Sequence, residues 1–270
     1  MSNQKNSSDY EAYLKQKKQK KRLIFCWQIG LLVGFIALWE ILARLDILNT
    51  FLFSSPSAIY DLFKTYLVDG SLFQHIGISV WETFLGFMIG TVLGVIVAII
   101  LWWSETVAKI FSPTLVVLNA LPKTALAPIL IVWAGAGIGG IVLTAISISI
   151  VTTILSAYNY FSIVDEEKIK MLKSFGATRW QILVKLILPA NIENMINIAK
   201  INIGLAWVGV IVGEFLVSRY GLGYLIVYGG QVFRLDLVMM GVVVLAACAF
   251  LMYGAVNLLE KWAIKKRVTK

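Results

Sequence analysis

The sequence predicts an all-α polytopic membrane protein with six membrane-spanning helices and a cytoplasmic loop between the fourth and the fifth. Three observations predict this fold class. Hydrophobic residues make up 59% of the 270 residues, and the mean hydropathy is +0.82. The apolar residues form runs of about 20, the length that crosses a bilayer as a helix. Almost all of the 24 lysines and arginines lie outside these runs, as topology signals do.

The six predicted spans follow the apolar runs along the chain. They are expected at residues 23–43, 76–103, 107–133, 138–160, 192–217 and 237–259. An even number of spans puts both termini on one side of the membrane. That side also carries the loop after the fourth span and most of the lysines and arginines. The positive-inside rule therefore places both termini and this loop in the cytoplasm.

Charge divides the sequence into three segments. Residues 1–21 are a basic N-terminal tail, residues 22–260 a six-helix transmembrane domain, and residues 261–270 a basic C-terminal tail. We expect both tails to be cytoplasmic, and the lysine-rich N-terminal tail to lie near anionic membrane lipid. Within the central domain, residues of about 162–189 form the cytoplasmic loop.

Several function classes are excluded by composition and motif. The net charge of +9 would suit nucleic acid, but the basic residues are confined to tails and one loop, so no nucleic-acid partner is expected. Cys26 and Cys248 lie in apolar runs, which argues against a disulfide. His75 is the only histidine, so no histidine-based metal site is expected. No P-loop and no nucleophile–base pair is recognisable, so no catalytic residue is assigned.

The cytoplasmic loop reads as helix, glycine corner and helix. Ser162 and Asp165 fit a capping box that opens a first helix, and Gly176 stands where a glycine ends one. Thr178 and Gln181 fit a second capping box, and Pro189 is expected to end the second helix. This pattern suits a helix that docks in the groove of a cytoplasmic partner. The alternative is an amphipathic hairpin lying on the inner leaflet.

The fifth span carries all its charges on one helical stripe. Its members recur at intervals of three and four residues: Glu193, Asn197, Lys200, Gly204, Trp207, Ile211 and Glu214. Because charges in a span need a partner or a wet cavity, the stripe is expected to line a translocation pathway. The alternative is a polar seam between helices. Ile203 and Val210, on other faces, are expected to face lipid.

Lys123 interrupts the third span between Pro122 and Pro128. The two prolines remove backbone hydrogen bonds and predict irregular backbone, which membranes tolerate only inside protein or beside a cavity. Lys123 is expected either to meet an anionic substrate or to neutralise Glu214 or Glu82.

Several motifs resemble those of ATP-binding cassette importer permeases of the nitrate, sulfonate and taurine type. The cytoplasmic "GATRWQILVKLILP" resembles the family's conserved loop, a glycine followed about a dozen residues later by Leu-Pro. Further resemblances lie in "SSPSAIYDLF", "LNALPKTALAPILIVWAGAG", "AWVGVIVGEF" and "YGLGYLI". Together they cover nearly the whole chain after Arg22. The resemblance implies a multi-pass protein of the bacterial plasma membrane with a permease fold of the type I importer class.

The resemblance also implies partners and coupling residues. The partners would be a second permease subunit, two cytoplasmic ATP-binding subunits that hold ATP and magnesium, and an extracytoplasmic solute-binding protein. This chain would bind no cofactor itself. The residues implied in ATPase coupling are Glu166, Glu167, Lys170, Phe175, Gly176, Ala177, Arg179 and Pro189. The residues assigned to the translocation pathway are Lys123, Asn197, Lys200, Trp207 and Glu214.

Two positions depart from the family's pattern. The family's Glu-Ala-Ala falls on Lys170, Met171 and Leu172, so the charge contact is expected to pass to the acidic residues one turn upstream. Glu82 stands where this branch usually has arginine, which changes the charge of the pathway.

Three function classes are weighed. An importer permease predicts a stable ATPase partner, a self-sufficient carrier predicts an internal inverted repeat, and a membrane enzyme predicts a catalytic constellation. Neither a repeat nor such a constellation is seen, which favours the permease. The sequence leaves open the substrate among nitrate, taurine, sulfonates and vitamin precursors, and leaves open a homodimer or a heterodimer.

Overall fold

The structure is a computed structural model that describes the backbone of residues 2–268 and the side chains of residues 15–258 and 260. The regular secondary structure of these residues is helical. The α-helices are α1 (Ser2–Arg44), α2 (Thr50–Phe53), α3 (Pro56–Val68), α4 (Ser71–Trp103), α5 (Glu105–Ala120), α6 (Ala127–Ala134), α7 (Ile138–Ser162), α8 (Glu166–Ser174), α9 (Arg179–Ile182), α10 (Leu188–Ala190), α11 (Ile192–Val217), α12 (Leu222–Gln231) and α13 (Leu235–Val268). A 3₁₀ turn (Lys123–Leu126) precedes α6, and a π turn (Leu183–Ile187) joins α9 to α10.

The chain divides into two compact units, of which the first ends at Lys64. In this unit the first candidate span is Lys15–Arg44. Glu40, near the end of that span, pairs with Arg44 at 2.7 Å and accepts the backbone N–H of Ser57 at 3.0 Å. The carboxylate thereby satisfies one of the free N–H groups in the first turn of α3.

The backbones of the two predicted tails are helical from Ser2 and up to Val268. The predicted lipid contact of these tails depends largely on side chains before residue 15 and after residue 260, which lie outside the described set. The tail boundaries at residues 21 and 261 stay predictions.

Helix α7 is the centre of the second unit, and α4 and α11 pack closely against it. A Cβ added at Gly86 of α4 would lie 2.6 Å from the Cβ of Ala145 in α7. A Cβ added at Gly213 of α11 would lie 3.0 Å from the Cα of Ile141. Small residues therefore set the helix spacing where apolar burial drives no association in lipid. The four-residue spacing of Gly86, Gly90 and Gly94 places all three on the face of α4 that packs against α7.

Five described helices are long and apolar enough to cross a membrane, and the number is six when a bent pair of helices is counted as one span. The bent pair is α5 with the segment Lys123–Ala134, and the two parts meet at 87°. The predicted fifth span agrees with α11 at both ends. The third span is therefore broken at Lys123, as the two prolines predicted, rather than continuous.

The loop of residues 162–189 follows the predicted helix, corner and helix, with two corrections. Ser162 is the last residue of α7, where its hydroxyl donates to the Tyr158 carbonyl at 2.9 Å, so Asp165 caps α8 instead. Pro189 does not end the second helix, which continues to Ala190, because the π turn before it widens the helix around the proline ring. The capping box of Thr178 and Gln181 is confirmed.

The packing of α11 on α7 predicts a difference between two glycines of the same helix. At Gly209 an added Cβ would overlap the backbone of Ala145, whereas at Gly204 it meets nothing within 4 Å. We expect Gly209→Ala to lower the free energy of unfolding by about 1–3 kcal/mol, the usual cost of overpacking. Gly204→Ala should be neutral or slightly stabilising, because alanine favours helices. Thermal unfolding midpoints in detergent measure both, and equal midpoints would contradict the close packing.

Candidate functional site

The first arm of the cytoplasmic loop, α8, has an inner apolar side and an exposed outer side. Ile169 and Leu172 pack against the core of the bundle. The exposed side chains are Glu166, Glu167, Lys170, Met171 and Phe175. The Phe175 ring is 81% exposed although it is large and apolar. An exposed aromatic side chain beside charges is typical of a surface that binds another protein.

Gly176 forms the corner between the two arms with φ of +79°. Its N–H donates to the Lys173 carbonyl at 2.9 Å, and the N–H of Ala177 donates to the Leu172 carbonyl at 3.0 Å. These bonds satisfy the last carbonyls of α8, as a glycine cap does. Beyond the corner, Arg179 donates to the Trp103 carbonyl at the end of α4 at 2.5 Å. The corner is thus fixed on both sides by hydrogen bonds.

The second arm of the loop is part of the bundle core. Ile182, Leu183 and Ile187 are at most 1% exposed, and they pack in one cluster with Phe161 of α7 and Ile198 of α11. Pro189 is half-buried. A hairpin lying flat on the inner leaflet would leave these side chains free of the bundle, so the second arm does not fit that alternative.

The predicted stripe on α11 divides into an exposed half and a buried half. Asn197 and Gly204 are exposed, whereas Trp207 is 4% and Glu214 1% exposed. The prediction that Ile203 and Val210 face lipid is wrong. They are 3% and 0% exposed, because α11 packs against α7, α4 and α13. The exposed apolar face of α11 carries Ile201, Val208 and Phe215 instead.

Lys200, on the same stripe, forms an ion pair with Glu260 of α13. The Lys200 ammonium lies 2.5 Å from the carboxylate, and the two side chains are 14% and 18% exposed. A partly buried pair of this kind satisfies both charges and ties α11 to α13. In this conformation Lys200 contributes to a contact between helices rather than to an open passage.

Lys123 lies at the bend of the broken third span among neutral polar groups. Its ammonium donates to Asn119 Oδ1 at 3.1 Å and to Thr152 Oγ1 of α7 at 3.4 Å. Among the described side chains it has no carboxylate partner. The expected ion pair with Glu214 or Glu82 is therefore not formed, because those two carboxyl groups face each other instead.

Glu82 and Glu214 meet between α4 and α11, and both are 1% exposed. Glu214 accepts the hydroxyl of Ser79 at 2.5 Å and the backbone N–H of Gly223 at 2.5 Å. Its remaining side is within hydrogen-bonding range of the Glu82 carboxyl. One oxygen of Glu82, Oε2, is buried without a partner among the described atoms.

The chain matches the family described as "Binding-protein-dependent transport system inner membrane component" over residues 90–265. This range covers well over half of the chain. It includes the loop of residues 162–189, the bend at Lys123 and all of α11.

The chain belongs to this family.

Several relatives align with the permease over most of its length. The putative aliphatic sulfonates transport permease protein of Bacillus subtilis is 28% identical over 254 residues, which are 93% of this chain and 92% of the relative. The taurine transport system permease protein of Escherichia coli is 24% identical over 261 residues, 92% of this chain and 95% of the relative. The riboflavin transport system permease protein of Chloroflexus aurantiacus is 29% identical over 238 residues, 87% of each.

The permease also has the fold of a solved transporter. A chain of the MetNI methionine ABC transporter in an inward-facing conformation superposes with a TM-score of 0.55 at 18% identity, over 73% of this chain and 95% of that one. The protein is therefore a multi-pass inner-membrane permease subunit of a binding-protein-dependent importer. ATP hydrolysis belongs to a separate subunit, and a binding protein delivers the solute.

Sequence reasoning about the permease missed several residues that complete these polar contacts. They are His75, Ser79, Asn119, Thr152 and Glu260. One signal was present in the sequence, since His75, Ser79 and Glu82 recur after four and three residues on the otherwise apolar α4. The pairing of Lys200 with Glu260, 60 residues away, leaves no such local signal.

Proposed function

We propose that this permease forms, with a second permease subunit, the translocation pathway for a small anionic or polar solute. The observation that carries the proposal is the Lys123 ammonium. It stands at the bend of a broken span and is neutralised by no carboxylate among the described side chains. A half-buried cation with only neutral partners suits a site that receives an anion in passing.

The named solutes of the relatives support an anion, though not exclusively. Aliphatic sulfonates and taurine, named for two of them, carry a sulfonate group. Riboflavin, named for the third, is not a sulfonate but is polar. We therefore propose a sulfonate, taurine, nitrate or vitamin-precursor type of solute, with the anionic members first because of Lys123.

The permease is proposed to lie with both termini in the cytoplasm. The support is the concentration of lysines and arginines in the two tails and in residues 162–189, together with the positive-inside rule. A reporter enzyme that is active only in the cytoplasm, fused after Lys270, should therefore be active. A fusion active only outside the membrane would contradict this orientation.

The exposed face of α8 is proposed to dock on an ATP-binding subunit. This proposal is supported by the exposed ring of Phe175, which lies beside the charged side chains of Glu166, Glu167 and Lys170. The opposite side of α8 packs on the bundle. The family's Glu-Ala-Ala falls on Lys170, Met171 and Leu172, so Glu166 and Glu167, one turn upstream, would make the charge contact. Gly176, Ala177 and Arg179 would fix the angle of α8, and Pro189 would belong to the buried arm that leads to α11.

The role of Lys123 is tested by variants that remove or keep its positive charge. In proteoliposomes that also contain the ATP-binding subunits and the binding protein, Lys123→Met should lower uptake of the anionic solute by about tenfold or more. The reason is that a hydrogen bond to a charged group contributes about 1.5–3 kcal/mol. Lys123→Arg should retain most of the uptake. Taurine, an alkanesulfonate, nitrate and riboflavin serve as the solute panel.

Lys109→Met is the matched control, because Lys109 lies on α5 and pairs with Glu105 at 2.7 Å on an exposed surface. It should leave uptake unchanged. If Lys123→Met transports a sulfonate as fast as the unaltered permease does, the charge of Lys123 does not select the solute.

The role of Gly176 is tested by two substitutions, to valine and to asparagine, which differ in how well they tolerate a positive φ. A side chain at Gly176 meets nothing within 4 Å, so Gly176→Val acts through backbone strain alone, about 1–2 kcal/mol. We expect this variant to insert and assemble but to lose ATP hydrolysis stimulated by the loaded binding protein, because α8 no longer keeps its angle. Gly176→Asn should retain most of the stimulation, since asparagine tolerates this conformation.

Stimulated hydrolysis and co-purification of the ATPase are both measured in reconstituted vesicles. Wild-type stimulation and uptake in Gly176→Val would contradict the coupling role of the corner.

A further inference from the structure

The start of α12 is capped by side chains from two other helices. The N–H of Gly221 lies 2.9 Å from His75 Nδ1, and the N–H of Leu222 donates to Ser79 Oγ at 2.7 Å. The N–H of Gly223 donates to Glu214 Oε2. Three consecutive N–H groups at a helix N-terminus, which have no partner inside the helix, are thus satisfied by α4 and α11.

The Glu214 carboxyl group is the centre of this arrangement. Ser79 Oγ accepts the N–H of Leu222, so its own proton is free to be donated to Glu214 Oε1. Glu214 therefore accepts from Ser79 and Gly223, which identifies it as the ionised member of the acid pair. The N-terminus of the ten-residue α12 favours the same negative charge.

Glu82 lies one turn after Ser79 on the same face of α4, and Ser79 donates to Glu214. The buried Glu82 carboxyl therefore lies beside the Glu214 carboxyl. A carboxylate accepts hydrogen bonds and donates none, whereas a protonated carboxyl donates one. A bond between the two groups therefore requires a proton, and Glu82 is the member that carries it. Glu82 is 1% exposed, and its Oε2 has no partner among the described atoms, so an ionised Glu82 would be a buried, uncompensated charge.

The described groups on the surrounding helices provide no cation for this pair. His75 Nδ1 lies 2.9 Å from the Gly221 nitrogen and 3.1 Å from the Gly221 carbonyl oxygen. We assign the neutral ring with Nδ1 accepting the N–H, because that contact is the shorter, and the Tyr224 ring stacks on the imidazole at 6.0 Å. Asp69, before α4, accepts hydrogen bonds from the side chain and N–H of Ser71, which lower its pKa.

Of the remaining described charged groups on or beside the neighbouring helices, Glu193 of α11 and Arg219, between α11 and α12, have exposed side chains, and the others are paired. On α11 and α13, Lys200 pairs with Glu260, and before α13 Arg234 pairs with Asp236 at 2.9 Å. The sequences of α6 and α7 contain no acidic residue, basic residue or histidine.

We propose that Glu82 and Glu214 form a proton-binding site, with the proton on Glu82, and that its occupancy holds the N-terminus of α12 against α4 and α11. Loss of the proton leaves two negatively charged carboxylates side by side and away from water. Their repulsion displaces the part of the site that is held least firmly. That place is the turn Gly221–Gly223, whose three N–H groups are held by these side chains. An added Cβ at Gly223 would lie 2.8 Å from Glu214 Oε2, so the carboxyl fills the space at the turn.

The test follows the transporter complex in lipid nanodiscs from neutral to alkaline pH with two measurements. Infrared spectroscopy detects the carbonyl band of a protonated carboxyl group. Hydrogen–deuterium exchange gives protection factors for residues 221–224, which correct for the intrinsic effect of pH on exchange. In the unaltered protein we expect the band at neutral pH. On alkaline titration the band should disappear, and the protection of these amides should fall by about tenfold or more, the factor expected when a buried group loses its partner.

Two variants separate the proton from the packing. Glu82→Gln keeps a donor toward Glu214 but cannot titrate, so it should lack the band and keep its protection at all pH values. Ser79→Ala removes the partner of the Leu222 N–H but keeps both carboxyl groups, so its protection should be lower throughout while the alkaline fall remains. Neither measurement depends on the transported solute, so the result is independent of the proposed role of Lys123.

Three outcomes would overturn the proposal. One is the absence of a protonated carboxyl band from the unaltered protein at neutral pH, a measurement that needs no variant. Another is an alkaline loss of protection in Glu82→Gln equal to that of the unaltered protein. The third is full restoration of protection at alkaline pH by added sodium or calcium, which would assign the pair to a metal cation instead of a proton.

Discussion

The close approach of α4 and α11 to α7 is the constraint on which the rest of the second unit depends. In lipid, apolar surface gains nothing by leaving the solvent, so packing and hydrogen bonds must hold the helices together. The glycines bring the backbones near enough for Asn202 of α11 to donate to Thr91 of α4 at 2.8 Å and to Thr153 of α7 at 2.7 Å. The same approach brings Glu82 and Glu214 into contact. A bulkier helix surface would separate both sets of polar groups and leave them buried without partners.

Burial of charge explains why the polar groups of the bundle fall into three kinds. A charge inside a membrane is costly unless it is paired. Lys200 and Glu260 form a pair of opposite charges, and the two carboxyl groups avoid a second charge by sharing a proton. Lys123 neither pairs with an opposite charge nor shares a proton, because its partners are the neutral side chains of Asn119 and Thr152. Its position at the 87° bend of a span, where backbone is already irregular, distinguishes it from a residue that only supports packing.

Local pattern predicted the features of this fold that depend on neighbours in sequence. The six spans, the break near Pro122, the Gly176 corner and the second capping box each follow from residues within about two turns. Features that depend on which helix lies alongside were not predictable in this way. Ile203 and Val210 looked lipid-facing because α11 is apolar on several faces, but α4, α7, α12 and α13 all pack on it. Lys123 was expected to meet an anionic substrate or an acidic side chain. Of its two partners, Asn119 lies four residues away in sequence, whereas Thr152 of α7 comes near only in three dimensions.

Helix α11 connects the cytoplasmic loop to the acid pair. At its start, Asn191 is 4% exposed and donates to the Ile187 carbonyl at 2.9 Å, which fixes the buried second arm of the loop to the helix. At its far end Glu214 holds the N–H of Gly223. The helix has 26 residues, about 39 Å at 1.5 Å per residue. Because its interior positions pack against α4, α7, α12 and α13, a tilt imposed at the loop cannot be absorbed by local bending without opening those contacts. The tilt would therefore reach Glu214 as a displacement relative to Glu82 on α4, and the bonds that hold α12 would change with it.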